Sequence, residues 1–140
     1  NCHATAEKRP DHPAAVPTPL QDYLRMAEAS PELKLILAHW GGGLPLHAEA
    51  DLPGNLYFDC SASPLLYPMD VFRTVIDKVG AGRILFGSDY PLRIFPRKQR
   101  HAEMHTYLQA IRGEAGLNED ELDALFGANF KRMISEKGDS

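Results

Sequence analysis

Residues 83–91 read Arg-Ile-Leu-Phe-Gly-Ser-Asp-Tyr-Pro, an apolar run that leads through a glycine to an acid and a proline. The apolar run at residues 84–86 is typical of a strand covered on both faces, as in a parallel sheet under helices. Gly87 allows a close backbone approach, and Pro91 ends the strand. Because α/β folds place their chemistry at the carboxyl ends of strands, Asp89 is a candidate for metal binding or proton transfer. Capping of the following turn is the alternative role for this side chain.

Similar apolar runs recur at residues 33–39 and 56–60, and the chain opens on what reads as the tail of a strand ending at His3. Helical patterns lie between or after these runs, at residues 20–30, 68–79, 101–112 and 119–134, the last with Asn118 as its N-cap and a bend at Gly127. Strands that alternate with helices predict an α/β fold with a parallel sheet and right-handed crossovers.

Four such units predict a partial (β/α)8 TIM barrel, because a complete barrel takes about 250 residues and this chain has 140. A doubly wound open sheet is the alternative, and it normally shows a GxGxxG first turn. Residues 41–43 are three glycines without that motif, and we expect no helix to begin directly on them.

We expect one domain over residues 1–135 and a flexible tail over residues 136–140. Residues 7–19 contain four prolines, which predicts a long irregular loop. Thr18 and Pro19 then supply an N-cap and a first helical residue. The chain starts without an initiator methionine, in what reads as the end of a strand, so we expect a piece of a longer protein.

The composition argues against several classes of partner. The net charge is −4 with acids and bases interspersed, which offers no electrostatic footprint for a nucleic acid. No apolar run approaches the ~20 residues that a membrane span needs. Cys2 and Cys60 belong to no CxxC pair, so we expect reduced thiols in a cytoplasmic protein. The basic residues between Arg93 and Arg100 indicate a solvated loop, with an anion site as the alternative.

Polar side chains accompany the ends of the predicted strands: His3, His39 and Asp89, with Asp59 inside the third strand. Imidazole and carboxylate together suit zinc or a similar divalent ion, and in a parallel barrel strand-end residues converge on one mouth. Each also has a structural interpretation. His3 could be an ordinary terminal residue, and His39 a core histidine bonded to a backbone carbonyl. Asp59 could be a buried carboxylate paired with a neighbouring donor.

Two further patterns do not support a site. Cys60 is not expected to be a nucleophile, because small buried thiols are common and nothing basic adjoins it. His101 and His105 are four residues apart, as in a helical ligand pair, but no glutamate directly follows His101 to complete an HExxH motif.

Five segments, in order along almost the whole chain, carry a resemblance to one enzyme family. The most specific are Ala-His-Trp-Gly-Gly-Gly at residues 38–43 and Ile-Leu-Phe-Gly-Ser-Asp-Tyr-Pro at residues 84–91; the others are residues 2–5, 55–62 and 127–132. They resemble the carboxyl-terminal half of the amidohydrolase-related metal-dependent hydrolases. This TIM-barrel family also includes aminocarboxymuconate-semialdehyde decarboxylase and related non-oxidative decarboxylases. The resemblance implies that the chain holds about the last four β/α units of the barrel.

The resemblance also implies roles for individual residues. His3 would end strand five as a metal ligand, and His39 would end strand six, with acid/base chemistry first and metal binding second. Asp89 would end strand eight, contact the metal and accept a proton from the attacking water in hydrolases. Three neighbouring residues are expected to shape the substrate pocket: Trp40, Tyr90 and Arg93.

The implied cofactor is a divalent metal, zinc before manganese. The chain lacks the HxH pair of the family's first strand, and His3 with Asp89 falls short of the three protein ligands of a catalytic zinc site. Four of eight strands would also leave two open edges. We therefore predict a fragmentary barrel that forms a homo-oligomer or pairs with a missing amino-terminal half, or else is inactive and without metal alone.

Three functions are consistent with these features. The first is a metal-dependent hydrolase that acts on a small carbonyl-containing substrate, a lactone or amide, through metal-activated water. The second is a metal-dependent non-oxidative decarboxylase of an aromatic or unsaturated acid, in which Arg93 binds a carboxylate. The third is a non-catalytic half-barrel that oligomerises. Bound metal separates the first two from the third.

Overall fold

Four short parallel strands form one sheet in the structure, a computed structural model that describes the backbone of residues 2–3 and all of residues 19–135. The strands lie side by side in chain order: β1 (Cys2–His3), β2 (Leu35–Ala38), β3 (Leu56–Asp59) and β4 (Ile84–Leu85). The predicted strands and their parallel pairing are confirmed. The predicted loop up to residue 18, the cap at Thr18 and the tail at residues 136–140 lie outside the described residues.

The predicted helical patterns all contain helices, and two of the helices begin later than predicted. The helices are α1 (Leu20–Ala29), α2 (His39–His47), α3 (Ser63–Leu66), α4 (Val71–Val79), α5 (His105–Glu114), α6 (Glu119–Asp123) and α7 (Asn129–Ser135), with a 3₁₀ turn at Ala81–Arg83 and a π-helical turn at Ala124–Ala128. Because α5 begins at His105 rather than at residue 101, His101 lies before the helix. His101 and His105 therefore do not form a helical ligand pair.

The sheet has one fully covered face. Leu37 is in register with Phe58, and Phe58 with Ile84, so these three side chains point the same way, and all are fully buried. They belong to one core cluster with Phe72 and Val75 of α4, whose apolar residues recur at helical spacing. Side chains on the alternate positions of the strands face the other side of the sheet.

A left-handed turn follows β2 directly. His39, Trp40 and the three glycines at residues 41–43 all have positive φ, between 54° and 83°, and the chain becomes right-handed only from Leu44 to His47. We predicted that no helix would begin on the glycines, and their left-handed backbone indeed separates them from the right-handed part of α2. Glycine adopts this conformation at little steric cost, but each L-residue in it costs roughly 1–2 kcal/mol. Buried contacts of His39 and Trp40 offset that cost.

The last segment of the chain covers the outer edge of β4. The backbone N–H of Phe86 donates to the carbonyl of Leu125 at 3.1 Å, and the Asn129 amide donates to the carbonyl of Ile84 at 2.8 Å. The prediction that both sheet edges are open is therefore wrong on this side, because these groups point away from β3 and are satisfied within the chain. The predicted bend at Gly127 is confirmed.

Two capping arrangements set the starts of the last helices. Asn118 and Glu121 form a reciprocal capping box at α6, with bonds of 2.9 and 3.0 Å, which confirms the predicted N-cap. Glu103 accepts the backbone N–H of Thr106 at 3.0 Å and bonds from the Thr106 hydroxyl and the Gln99 amide, both at 2.6 Å. These bonds account for the late start of α5, and they lower the pKa of Glu103 from its usual 4.5 to about 2.

Glu103 should therefore contribute stability that depends on pH. A carboxyl whose pKa is lower in the folded state stabilises the fold above its unfolded pKa, and the contribution is lost as pH falls through the folded value. We expect Glu103→Gln to be less stable than the wild type near pH 7 and to approach it between about pH 4.5 and about pH 2. Urea unfolding at several pH values measures this. Glu114→Gln, at the exposed end of the same helix, is the control; parallel profiles for wild type and Glu103→Gln would contradict the prediction.

Candidate active site

The carboxyl ends of the four strands share one edge of the sheet, because the strands are parallel and adjacent. His3, at the end of β1, is in register with Ala38, and Asp59, at the end of β3, is in register with Leu85. His39 follows β2 directly, and Asp89 lies four residues beyond β4. The structure thus brings the predicted strand-end residues to the same edge, although the side chain of His3 lies outside the described residues.

Asp59 is the most highly connected group at this edge. Its Oδ1 atom accepts the backbone N–H of His39 at 3.0 Å, the backbone N–H of Ser61 at 3.0 Å, and the Ser61 hydroxyl. The side chain is buried, with 8% of the residue exposed. The prediction of a buried carboxylate paired with neighbouring donors is confirmed, and the group ties the end of β2 to the end of β3.

His39 is buried against the same loop. Its Nδ1 atom lies 2.8 Å from the Ser61 carbonyl oxygen and 3.1 Å from the Ser61 hydroxyl oxygen. The interpretation of His39 as a core histidine bonded to a backbone carbonyl is confirmed. Orientation of the ring through one nitrogen is also the usual arrangement of catalytic and metal-binding imidazoles.

Gly87 brings the continuation of β4 against this pair. A Cβ atom at this position would lie 3.1 Å from the Cβ of Ser61 and 3.4 Å from the Cγ of Asp59. The close approach predicted for Gly87 is confirmed, and any side chain there would push the strand away from Asp59. The loop that carries Asp89 therefore leaves the sheet directly beside the Asp59 and Ser61 side chains.

Asp89 lies in an exposed turn and has a φ of 58°. The Ser88 hydroxyl accepts the backbone N–H of Tyr90 at 3.2 Å, and the Asp89 carbonyl accepts that of Leu92 at 2.9 Å. These bonds close the turn through groups other than the Asp89 carboxylate. The role of that carboxylate in metal binding or proton transfer stays a prediction.

The three predicted substrate-binding residues occupy different environments. Trp40 is fully buried; its indole N–H donates to the Ser63 hydroxyl at 2.8 Å, and its ring lies edge-on to Phe72 at 5.0 Å. Any effect of Trp40 on a substrate would therefore act through the turn that it anchors. Tyr90 is 62% exposed, and Arg93 is exposed with a 3.4 Å bond to the Gln99 carbonyl. Their part in substrate binding stays a prediction.

Ser61 is the residue that the sequence analysis missed. It contacts both Asp59 and His39, and it lies two positions after the strand-end acid in Asp-Cys-Ser. Side chains alternate along an extended chain, so this spacing could have suggested that Ser61 and Asp59 share a side. Cys60, between them, is buried, and this burial raises its pKa to about 11, which disfavours the nucleophilic thiolate.

A cavity of 410 Å³ lies beside Asp59. Its walls are mostly apolar, from Ile36 and Leu85 of the sheet and from Phe126 and Phe130 of the last segment, and Asp59 is its charged wall residue. Concave, mostly apolar cavities with a few polar groups are typical of sites for small molecules.

The described residues do not complete a metal site on their own. Within residues 19–135, no three His, Cys, Asp or Glu side chains are placed to hold one metal ion. Oδ1 of Asp59 already accepts three hydrogen bonds, which makes this atom a poor ligand. A catalytic zinc site normally has three protein ligands, so others would have to come from outside the described residues.

Within the described residues, no helix is both long and apolar enough to cross a bilayer.

A parallel β/α sheet with a histidine and two acids at its carboxyl edge is typical of α/β enzymes, in which the active site lies at that edge. A family model described as amidohydrolase matches residues 12–134. The chain therefore belongs to the amidohydrolase family, as its sequence motifs predict. No curated protein matches it.

Solved structures share the fold at low sequence identity. They include 5-carboxyvanillate decarboxylase from Sphingomonas paucimobilis (TM-score 0.59, 17% identity, 83% of this chain and 38% of that one). A dihydroxybenzoic acid decarboxylase from Polaromonas, with bound manganese and the inhibitor 2-nitroresorcinol, has a TM-score of 0.56 and 18% identity over 80% of this chain and 36% of that one. An amidohydrolase from Burkholderia multivorans with bound zinc has a TM-score of 0.55 and 19% identity, over 83% and 49%. This chain thus spans less than half the length of each.

Proposed function

We propose that this chain is the carboxyl-terminal half of a (β/α)8 barrel and supplies one side of a metal-dependent active site. Two observations support the half-barrel: four parallel strands in chain order, and matches that cover most of this chain but under half of each neighbour. The other half would add strands at the edge of β1, and closing the barrel would also require it to displace the last segment from the outer edge of β4. A missing amino-terminal half or a second copy of the chain could supply those strands.

The observation that carries the active-site proposal is the meeting of His39, Asp59 and Gly87 at the carboxyl edge. The approach of Gly87 to Asp59 and Ser61, which both contact His39, supports a site that Asp89 and His39 share. We assign His3 and Asp89 as metal ligands, and His39 as an acid/base group first and a ligand second. A divalent ion, zinc or manganese as in the neighbours, would lower the pKa of a bound water and polarise a carbonyl oxygen.

The proposed reaction is hydrolysis of a small lactone or amide. In this reaction the Asp89 carboxylate accepts a proton, and the His39 imidazole stabilises or protonates the oxygen on which charge develops. The apolar cavity beside Asp59 would take the carbon skeleton of the substrate, and Tyr90 and Arg93 would line its entrance. The small-molecule inhibitor bound by one neighbour supports a small-molecule substrate, and we expect the protein in the cytoplasm.

Decarboxylation of an aromatic acid is the second candidate, and the two neighbouring decarboxylases favour it. In this reaction His39 would donate a proton to the ring carbon that loses the carboxylate. The exposed guanidinium of Arg93 could bind that carboxylate before the bond breaks. The two reactions use the same residues and differ in the product.

A metal analysis combined with a substrate panel tests the proposal. We expect the chain, together with the other half of its barrel, to hold zinc or manganese close to one ion per active site. With dihydroxybenzoate, 5-carboxyvanillate, simple lactones and amides as substrates, release of carbon dioxide would support decarboxylation, and release of acid without it would support hydrolysis. Protein that holds no metal and turns over none of these compounds would instead be the non-catalytic module.

A further inference from the structure

The hydrogen-bond network around His39 determines which nitrogen of its imidazole carries the proton. Nδ1 has two neighbours, the carbonyl oxygen and the hydroxyl oxygen of Ser61, at 2.8 and 3.1 Å. The carbonyl can only accept a hydrogen bond. The hydroxyl already gives its hydrogen to Oδ1 of Asp59, so towards His39 it too can only accept. Both neighbours therefore require a hydrogen on Nδ1.

We infer that Asp59 and Ser61 are positioning residues that hold the imidazole of His39 with a hydrogen on Nδ1. The carboxylate acts at two points. It fixes the backbone of His39 through a 3.0 Å bond from the N–H of that residue, and it fixes Ser61 through bonds from both its N–H and its hydroxyl. One carboxylate oxygen thereby sets both the place of the imidazole and the acceptors that bind Nδ1.

Burial makes this arrangement persistent. Residues 39 and 61 are 7% exposed and residue 59 is 8% exposed, so water has little access to compete for the bonds. The left-handed backbone of His39, with φ of 54°, is a further sign of external constraint, because such a conformation persists only when surrounding contacts enforce it. The tautomer inference stands on these contacts alone, whereas its catalytic consequence rests on the proposed function.

Nitrogen-15 NMR of the full chain labelled at histidine tests the tautomer directly. Two-bond and three-bond couplings to the ring protons show which nitrogen carries the hydrogen, at a pH where imidazoles are neutral. His39→Asn identifies the His39 signals by their loss, and asparagine tolerates the left-handed backbone at this position. We expect His39 to carry a hydrogen on Nδ1 in the wild type; a ring without a hydrogen on that nitrogen would overturn the inference.

Single substitutions distinguish the contributions of the two positioning residues to the His39 tautomer. Ser61→Ala keeps the carbonyl, so we expect the Nδ1–H tautomer to remain. Asp59→Ala removes the carboxylate that fixes both the backbone of His39 and Ser61. We expect a mixture of tautomers in His39, while the exposed His47 is unchanged. Asp59→Asn, which preserves shape, should give a smaller effect and serves if the alanine variant does not fold. A His39 spectrum that is identical in the wild type and in every folded Asp59 variant would remove Asp59 from the positioning role.

The activity readout distinguishes failure of this inference from failure of the proposed function. For a substrate that the wild type turns over, we expect Asp59→Asn to lower kcat about 10- to 100-fold, as for other groups that orient a catalytic histidine, with little change in KM. The expected tautomer in a protein without turnover would refute the proposed function only. An Nε2–H ring in an active enzyme would refute the inference only.

Discussion

Replacing Asp89 by asparagine is expected to lower turnover by about 10²- to 10⁴-fold, the usual contribution of a general acid or base. Asparagine has nearly the same shape but accepts no proton and binds a metal ion more weakly. It also tolerates the positive φ of 58° at this position, so the turn should be retained. Steady-state kinetics on the substrate found active in the panel, together with metal content, measure the effect.

The matched control for this variant is Asp123→Asn. Asp123 is another exposed acid, at the end of α6 and far along the chain from the carboxyl edge of the sheet. We expect the control to leave both turnover and metal content unchanged, and both variants to unfold at the urea concentration of the wild type. Wild-type rates for Asp89→Asn would exclude Asp89 from the mechanism.

Replacing Gly41 by alanine is expected to lower the free energy of unfolding by about 3 kcal/mol, which combines two costs. The first is the positive φ of 61°, which costs an L-residue roughly 1–2 kcal/mol. The second is steric: the new Cβ would lie 3.1 Å from Cδ1 of Leu37 and 3.2 Å from Cε1 of Phe58, both in the core. Overpacking a core by a methyl group costs about 1–3 kcal/mol. Urea unfolding of the two proteins measures the difference.

Gly116→Ala is the control that isolates the backbone cost. Gly116 has nearly the same φ, 68°, and nothing lies within 4 Å of a Cβ built on it. We expect this variant to lose only about 1 kcal/mol. If both variants lose the same free energy of unfolding, the close packing of Gly41 against β2 and β3 does not limit the choice of residue there.

The parallel sheet was predictable because its strands are short, continuous apolar runs ended by residues that cannot extend them. The β4 region shows this well: residues 84–86 are apolar, and Gly87 and Pro91 follow. The close approach at Gly87 and the capping box at Asn118 were also predictable, because each depends on residues within a few positions of one another.

Helix starts were less predictable, because they depend on side chains that compete for the first N–H groups. The Glu103 carboxylate accepts the N–H of Thr106, so α5 starts at His105, whereas the sequence predicted a start at residue 101. The left-handed turn after β2 was missed for a different reason. Glycines indicate that an unusual backbone conformation is possible. Whether the turn is left- or right-handed depends on the hydrogen bonds that hold His39 and Trp40 to β3 and to the loop after it.

Local order along the chain was enough to predict which residues stand at strand ends, and thus that His39, Asp59 and Asp89 gather at one edge of a parallel sheet. Folding in three dimensions settles what each of them does there. Asp59 became the hub of a network through Ser61, and Trp40 turned inward to the core, because hydrogen bonding and burial depend on neighbours about twenty residues away. A pattern of apolar residues can predict position, but only packing selects the partners of a polar group.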